Sequence, residues 1–245
     1  MAQKAPENWD RLFQLFLARP NGIVTKSTYL RRSGNYCAVV GEGEEQKTQE
    51  LPAPMGTLAL SLLDIEGELP CTPTAFTLTE DAGWVFFALA DLARRTHCKS
   101  LLGGTPEADL TADPMKVVEA LEGELFPGVD DMRFLSPFLS VTLGIRAKPD
   151  LKKARRDLAA AEFLGQDGNM TREGALLLSA FAQVHTMLGV YGYKKEKGED
   201  TLCCGAALNC YHSLWSVAYD SGEKAFYLTV MSRKEMAKVL EGIFA

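Results

Sequence analysis

The chain has 245 residues, of which 47% are apolar and 24% are charged, a composition typical of a globular protein. A chain of this length buries roughly 70% or more of its unfolded surface, so it needs no disulfide bonds or metal ions to fold. The formal charge of −6 disfavours nucleic acid as a partner, because binding to the phosphate backbone relies on Lys and Arg.

The sequence also disfavours export and membrane insertion. Residues 1–11 contain several charged side chains and no apolar core of signal-peptide length. The most apolar stretch, residues 84–92, is too short to span a bilayer. We therefore predict a cytoplasmic protein with no integral membrane segment.

The N-terminal quarter predicts one helix and three strands. Apolar residues recur at helical spacing over residues 8–17 and predict a short amphipathic helix. Residues 23–30 and 36–40 are rich in β-branched and aromatic side chains and predict a hairpin. The acidic residues 41–49 are typical of an exposed loop, and residues 57–65 predict a further strand.

The clearest prediction is a core helix over residues 79–95. Thr79 is suited to cap the free N–H groups of the first turn, and the acidic Glu80 and Asp81 follow where the helix dipole is positive. Apolar residues occupy most sides of this helix, so we expect other elements to cover it. A second helix is predicted over residues 113–125, with proline at its first helical position.

The middle of the chain predicts extended structure followed by a helix. Pro137 places residues 134–145 at a sheet edge or bulge, because a central strand does not tolerate proline. Residues 151–161 predict a helix with a basic cluster, which is either a solvated face or a contact for a partner or lipid headgroups. The cluster consists of Lys152, Lys153, Arg155 and Arg156.

The C-terminal part predicts a helix, three strands and a closing helix. Thr171 caps an apolar helix that we expect to reach Leu188, and a capping box from Ser232 to Glu235 opens the last helix. The strands between them are predicted at residues 189–193, 214–219 and 225–230.

These elements predict an α/β (α+β) fold, with a mixed or antiparallel sheet and packed helices. Residues 120–123 (Ala-Leu-Glu-Gly) are similar to residues 239–242 (Val-Leu-Glu-Gly), and each segment follows a Thr-capped apolar helix. An internal duplication is one interpretation, and chance similarity of a short helix is the other. We predict two pseudo-symmetric α/β halves, residues 1–130 and 131–245, packed as one body.

The sequence contains no recognisable catalytic or cofactor motif, and phosphate-binding, serine-hydrolase and zinc-protease signatures are absent. His97 and Cys98 are neighbours at a helix end, an awkward geometry for a nucleophile and its base. For His185 and His212 a core or surface position is expected. We predict no catalytic residue, no cofactor and no metal.

The cysteines are expected to be reduced and mostly buried. A metal site formed by Cys203, Cys204, Cys210 and His212 is conceivable, but it lacks the two-residue spacer of zinc knuckles. If the protein were a small-molecule enzyme, Cys98, Cys204 and His212 would be the first residues to test. The remaining cysteines are Cys37 and Cys71.

The order of elements resembles the EspG-like family of type VII secretion-associated chaperones. The residues that carry the resemblance are 78–95, 121–123, 215–222, 226–228 and 231–244. Members of this family have two pseudo-symmetric α/β halves. The resemblance implies a cytosolic chaperone or adaptor that binds a helical secretion substrate and shields its apolar tip until export. It implies no individual binding residue, and the alternative function is the small-molecule enzyme.

Overall fold

The computed structural model describes residues 11–19, 24–32, 35–40, 47–51, 54–65, 72, 74–101, 110, 112–126, 133–196, 199–210 and 213–244. These residues form nine strands and eight helices. The strands are β1 (Arg11–Ala18), β2 (Val24–Arg32), β3 (Asn35–Val40), β4 (Lys47–Glu50), β5 (Ala75–Thr79), β6 (Thr186–Glu196), β7 (Glu199–Asn209), β8 (Leu214–Asp220) and β9 (Ala225–Val230). The helices are α1 (Met55–Ser61), α2 (Glu80–Leu101), α3 (Pro114–Ala120), α4 (Glu122–Leu125), α5 (Leu135–Leu143), α6 (Leu151–Ala160), α7 (Arg172–Ala182) and α8 (Arg233–Phe244).

All nine strands belong to one antiparallel sheet. Their order across the sheet is β4-β3-β2-β1-β6-β7-β8-β9-β5. Most neighbours in space are also neighbours in sequence, as in a meander, and β5 reaches across to pair with β9 at the far edge. The predicted α+β class with an antiparallel sheet is confirmed.

Helices cover both faces of the sheet. Successive side chains of a strand point to opposite faces, so Phe16 lies in the core beneath α2, α5, α6 and α7, which we call the front face. Its neighbours Leu15 and Leu17 lie in the core beneath α1 and α8, on the back face. The front core is built around aromatic rings of α2, among which Trp84 and Phe87 contact Phe226 of β9 edge to face.

The same arrangement of elements occurs twice. Four meandering strands precede α1, and four precede α8, and the two sets meet where β1 pairs with β6. Residues 120–123 and 239–242, the segments with similar sequences, lie on opposite faces of the sheet. The division into residues 1–130 and 131–245 and the internal duplication stay predictions.

The predicted helix caps are confirmed. The Oγ1 atom of Thr79 accepts the N–H of Ala82 at 3.4 Å, and that of Thr171 accepts the N–H of Gly174 at 3.0 Å. In the capping box, the Glu235 carboxylate accepts the backbone N–H of Ser232 at 2.9 Å. Helices α2, α3, α6 and α8 and the hairpins β2-β3 and β8-β9 form at the predicted places.

Two predictions for the N-terminal quarter are wrong. Where a helix is predicted over residues 8–17, residues 11–17 belong to strand β1 instead, because Phe13, Leu15 and Phe16 are buried on both faces of the sheet, and residues 8–10 lie outside the described residues. A continuous apolar run of this kind, which a central strand requires, also satisfies helical spacing. The strand predicted over residues 57–65 is helix α1 and the turn that follows it.

Predictions in the middle of the chain are also corrected. Residues 134–145 are not extended but contain α5, in which Pro137 lies in the first turn, where a backbone N–H has no partner within the helix. The helix predicted to reach Leu188 ends at Ala182, and Leu188 belongs to β6.

Three strands have no counterpart in the sequence prediction, namely β4, β7 and β5, which immediately precedes α2. Residues 47–49 of the predicted loop 41–49 belong to β4, and the rest of that loop lies outside the described residues. Strand β7 contains the cysteine-rich segment that we considered only as a metal site. No helix in the described part of the chain is long and apolar enough to span a membrane.

Candidate binding surface

The structure separates the cysteines that could have formed a metal site. Cys203 and Cys204 are consecutive on β7 and therefore point to opposite faces of the sheet. Burial raises the pKa of the Cys204 thiol and that of Cys210, so both thiols stay protonated at neutral pH. A nucleophilic or metal-binding cysteine needs a lowered pKa, and these two are shifted in the other direction.

Two of the remaining candidates for chemistry can be placed in the structure. His212, Cys71 and the side chain of Cys98 lie outside the described residues. His97 is exposed on α2, and His185 is half-buried with its Nδ1 atom 3.0 Å from Thr186 Oγ1. Among the described side chains, no group of three His, Cys, Asp or Glu residues could hold a metal ion.

The basic cluster of α6 is engaged in ion pairs within the chain. Lys153 Nζ lies 2.6 Å from Asp81 Oδ2, and Arg155 Nη2 lies 2.6 Å from Asp113 Oδ1. These contacts tie α6 to the start of α2 and the start of α3. The solvated-face interpretation of the cluster therefore fits better than a contact for lipid headgroups.

Exposed apolar side chains indicate another candidate binding surface, on β6 and β7. Six large apolar side chains are exposed among the described residues, and they are Val141, Leu176, Tyr193, Leu202, Tyr227 and Val239. Tyr193 and Leu202 are 36% and 44% exposed and pair directly across β6 and β7. Both point to the front face, beyond the end of α5. Single exposed apolar residues are common, whereas adjacent ones mark binding surfaces.

These two residues belong to a continuous surface that we call the tyrosine patch. It consists of Leu12, Tyr191, Tyr193, Leu202 and Cys204, which are cross-strand neighbours on the front face of β1, β6 and β7. The alternation of strand side chains produces the patch, because every second residue of each strand faces the front.

The end of helix α5 places the patch at the border of the covered sheet. Gly144 ends α5 in the left-handed conformation at φ 68°, and a Cβ there would lie 3.1 Å from the Tyr191 ring. Helix α5 packs on the front face of β6 and β7 and ends at this glycine, whereas α8 packs on the back face of β7. Val141, 45% exposed on the outer side of α5, adds apolar surface on the helix that ends beside the patch.

The two tyrosines hold each other in place. Their hydroxyl oxygens are 2.8 Å apart, and their rings meet edge to face with centroids 5.6 Å apart. The hydrogen bond with Tyr193, together with partial burial, raises the pKa of Tyr191 to about 12. Tyr191 therefore stays protonated at physiological pH, and the two rings form an ordered apolar surface with hydroxyl groups at one end.

A groove between α2 and α7 is the second candidate surface. Its volume is about 330 Å³, and it is lined by Ala93, His97, Leu110, Met170, Ala175, Leu178, Ser179, Ala182 and Gln183. Among its described lining residues His97 is the one ionisable side chain, so the groove offers a shape without the paired groups of an active site.

The tyrosine patch was not predicted from the sequence because β7 was not predicted as a strand. The signal was present in the alternation of Leu202, Cys204, Ala206 and Leu208, every second residue of the strand. Cys203 and Cys204 were considered as metal ligands, and the alternation of apolar residues that indicates a strand was overlooked.

Similarity to known proteins is found among solved structures and not among sequences. No family model matches the sequence, and no curated protein matches it. A similar solved structure is that of the type VII secretion system chaperone EspG5 of Mycobacterium tuberculosis, in complex with the PE25–PPE41 dimer. The match covers 96% of this chain and 73% of that chain, with a TM-score of 0.44 and 9% sequence identity. This likeness assigns neither a family nor a function to this chain.

Proposed function

We propose that the protein is a non-enzymatic chaperone or adaptor that binds a protein partner at the tyrosine patch. The observation that carries this proposal is the pairing of two exposed apolar side chains, Tyr193 and Leu202, on a part of the sheet that the described helices leave uncovered. Aromatic residues on an ordered surface are the usual centres of protein interfaces. The raised pKa of the Cys204 thiol weighs against the small-molecule enzyme.

The class of partner comes from the sequence resemblance. It points to a helical substrate of a type VII-like secretion system, which the chain would hold in the cytoplasm by covering an apolar tip. The tyrosine patch suits this task because it is apolar, neutral and rimmed by hydroxyl groups that can bond to polar groups at the edge of the tip.

The test is affinity capture from a native lysate with a matched pair of variants. Tyr193→Ala removes an aromatic ring from the patch, whereas Tyr227→Ala removes an equally exposed ring, 37% against 36%, from the back face of β9. We expect one small helical secreted protein to be captured by the wild type and by Tyr227→Ala, and to be lost or strongly reduced with Tyr193→Ala.

Two results would contradict the proposal. If the partner binds Tyr193→Ala as well as it binds the wild type, the patch is not the docking surface. If the wild type retains a metabolite or metal ion and no protein, the chaperone function itself is wrong, and the cysteines become the first residues to study.

A further inference from the structure

The outer edge of β7 is only partly paired. Strand β7 pairs with β6 along its whole length, Glu199–Asn209, but it pairs with β8 only from Ala206 to Asn209. Strand β8 nevertheless continues to Asp220 beside β9. Within the described residues, β7 and β8 therefore separate beyond the pair Ala206 and Val217 and leave a fork in the sheet.

One hydrogen bond at the closed end fixes the direction of the backbone groups of β7. The N–H of Cys210 donates to the carbonyl oxygen of Ser213 at 2.9 Å, so the peptide groups of Cys210 point toward β8. In an antiparallel strand this direction alternates from residue to residue. The N–H and C=O groups of Leu202 and Cys204 therefore also point toward β8, into the open part of the fork.

Strand β8, on the opposite side of the fork, also directs backbone groups into the open part. The carbonyl oxygen of Leu214 accepts the N–H of Met231 at 2.8 Å and so points toward β9. By alternation, Val217 and Tyr219 point toward β7. Val217 pairs with Ala206, but the described ladder contains no partner for the backbone of Tyr219.

An open row of backbone groups selects one kind of occupant. Unpaired N–H and C=O groups along a strand are satisfied by another strand, which presents its own groups at the matching spacing. A helix cannot do this, because its backbone groups are already bonded within the helix. The side chains of Leu202 and Cys204 belong to the tyrosine patch, so the open edge and the apolar surface adjoin.

We propose that the open edge of β7 at Leu202 and Cys204 binds an extended peptide segment of the protein partner as an added strand. Alternate side chains of that segment rest on the front face against the tyrosine patch. This inference rests on the proposed function and adds how the partner backbone is held. The captured partner then contributes an extended segment in addition to any helical tip.

The test uses a random twelve-residue peptide library displayed on phage, selected against the wild-type chain. We expect the selected peptides to carry apolar residues at alternate positions and to lack proline in the centre. Two N-methylated versions of a selected peptide are then compared, one methylated at the odd positions and one at the even positions. We expect one version to bind about tenfold more weakly and the other to bind unchanged, because the N–H groups of only one set face β7.

A pair of protein variants tests the same edge from the other side. Leu202→Ala removes the side chain alone, whereas Leu202→Pro also removes the N–H that points into the fork and keeps the hydrogen bonds of its neighbours to β6. We expect Leu202→Pro to bind the selected peptide about tenfold more weakly than Leu202→Ala. The N-methyl series provides an independent result if Leu202→Pro does not fold.

Several outcomes would overturn the inference. They are the absence of any selected peptide, selected peptides with helical apolar spacing, and equal affinity across the N-methyl series. Concentration-dependent dimerisation that Leu202→Pro abolishes would assign the edge to a second copy of the chain instead. If one of these outcomes is found but Tyr193→Ala still loses the captured partner, the added-strand inference is wrong and the proposed function stands. Failure of the inference and failure of the proposed function can therefore be distinguished.

Discussion

Replacing Gly56 by alanine tests the close packing of α1 against α8 on the back face. A Cβ at Gly56 would lie 2.3 Å from the carbonyl oxygen of Ala237 and 2.7 Å from the backbone nitrogen of Glu241. Both contacts involve backbone atoms of α8, so neither can be relieved by turning a side chain. The two helices would have to separate.

The same separation would break a hydrogen bond. The Glu241 carboxylate accepts the N–H of Gly56 at 2.6 Å, and it serves as the cap that α1 lacks in its own sequence. Overpacking costs about 1–3 kcal/mol, and a hydrogen bond to a charged group contributes about 1.5–3 kcal/mol. Because alanine favours a helix over glycine, part of this is offset, and we expect Gly56→Ala to lower the free energy of unfolding by about 2–4 kcal/mol.

Urea denaturation, followed by the fluorescence of the buried Trp84 and Trp215, measures this change. The matched control is Gly242→Ala on α8, where an added Cβ meets no atom within 4 Å. We expect this control to raise stability slightly, by up to about 1 kcal/mol, through helix propensity alone. A Gly56→Ala variant as stable as the wild type would refute the packing described for α1 and α8.

Two further substitutions test the front face. Thr171→Ala removes the cap that Gly174 N–H uses, so we expect a loss of about 1 kcal/mol in urea denaturation, and an unchanged midpoint would contradict the cap. Although partial burial acts in the opposite direction, the hydrogen bond from Lys153 lowers the pKa of Asp81 in the folded chain below its ordinary value of 3.8. Its contribution to stability is therefore present above that value and lost as the pH falls through the folded pKa. We expect Asp81→Asn to destabilise the chain at pH 7 and to have a smaller effect near pH 3, and an effect that does not change with pH would show that the ion pair contributes nothing.

The helices with strong local signals were predictable from the sequence. Thr79, Thr171 and Ser232 each precede an apolar run at helical spacing, and each caps a helix in the structure. A cap and a periodic apolar face lie within a few residues of each other, so local sequence determines them. The hairpin of β8 and β9 is local in the same sense.

The wrong secondary-structure predictions fall on segments whose conformation is determined by tertiary packing. Residues 11–18 form a central strand because both faces of the sheet are covered by helices that come much later in the chain. Helix α5 begins where Asp91 of α2 accepts the N–H groups of Leu135 and Ser136, a cap supplied from more than forty residues away. No local pattern reveals such a cap.

The candidate surface was hidden for a related reason. Tyr193 and Leu202 come together only through the register of β6 and β7, and the uncovered state of the patch depends on where α5 ends. The two cysteines of β7 are conspicuous in the sequence, but in the structure they occupy consecutive positions of a strand, one on each face of the sheet. The resemblance to secretion chaperones supplied the class of partner but no position for it.

The most direct test of the account is hydrogen exchange of the chain alone and in complex with its captured partner. We predict that exchange slows at the end of α5 and along the facing parts of β6 and β7, residues 141–144, 191–193 and 202–204, with the amides of Leu202 and Cys204 changing most. Protection confined to the groove between α2 and α7, with no change at the tyrosine patch, would contradict the claim that the patch is where the partner binds.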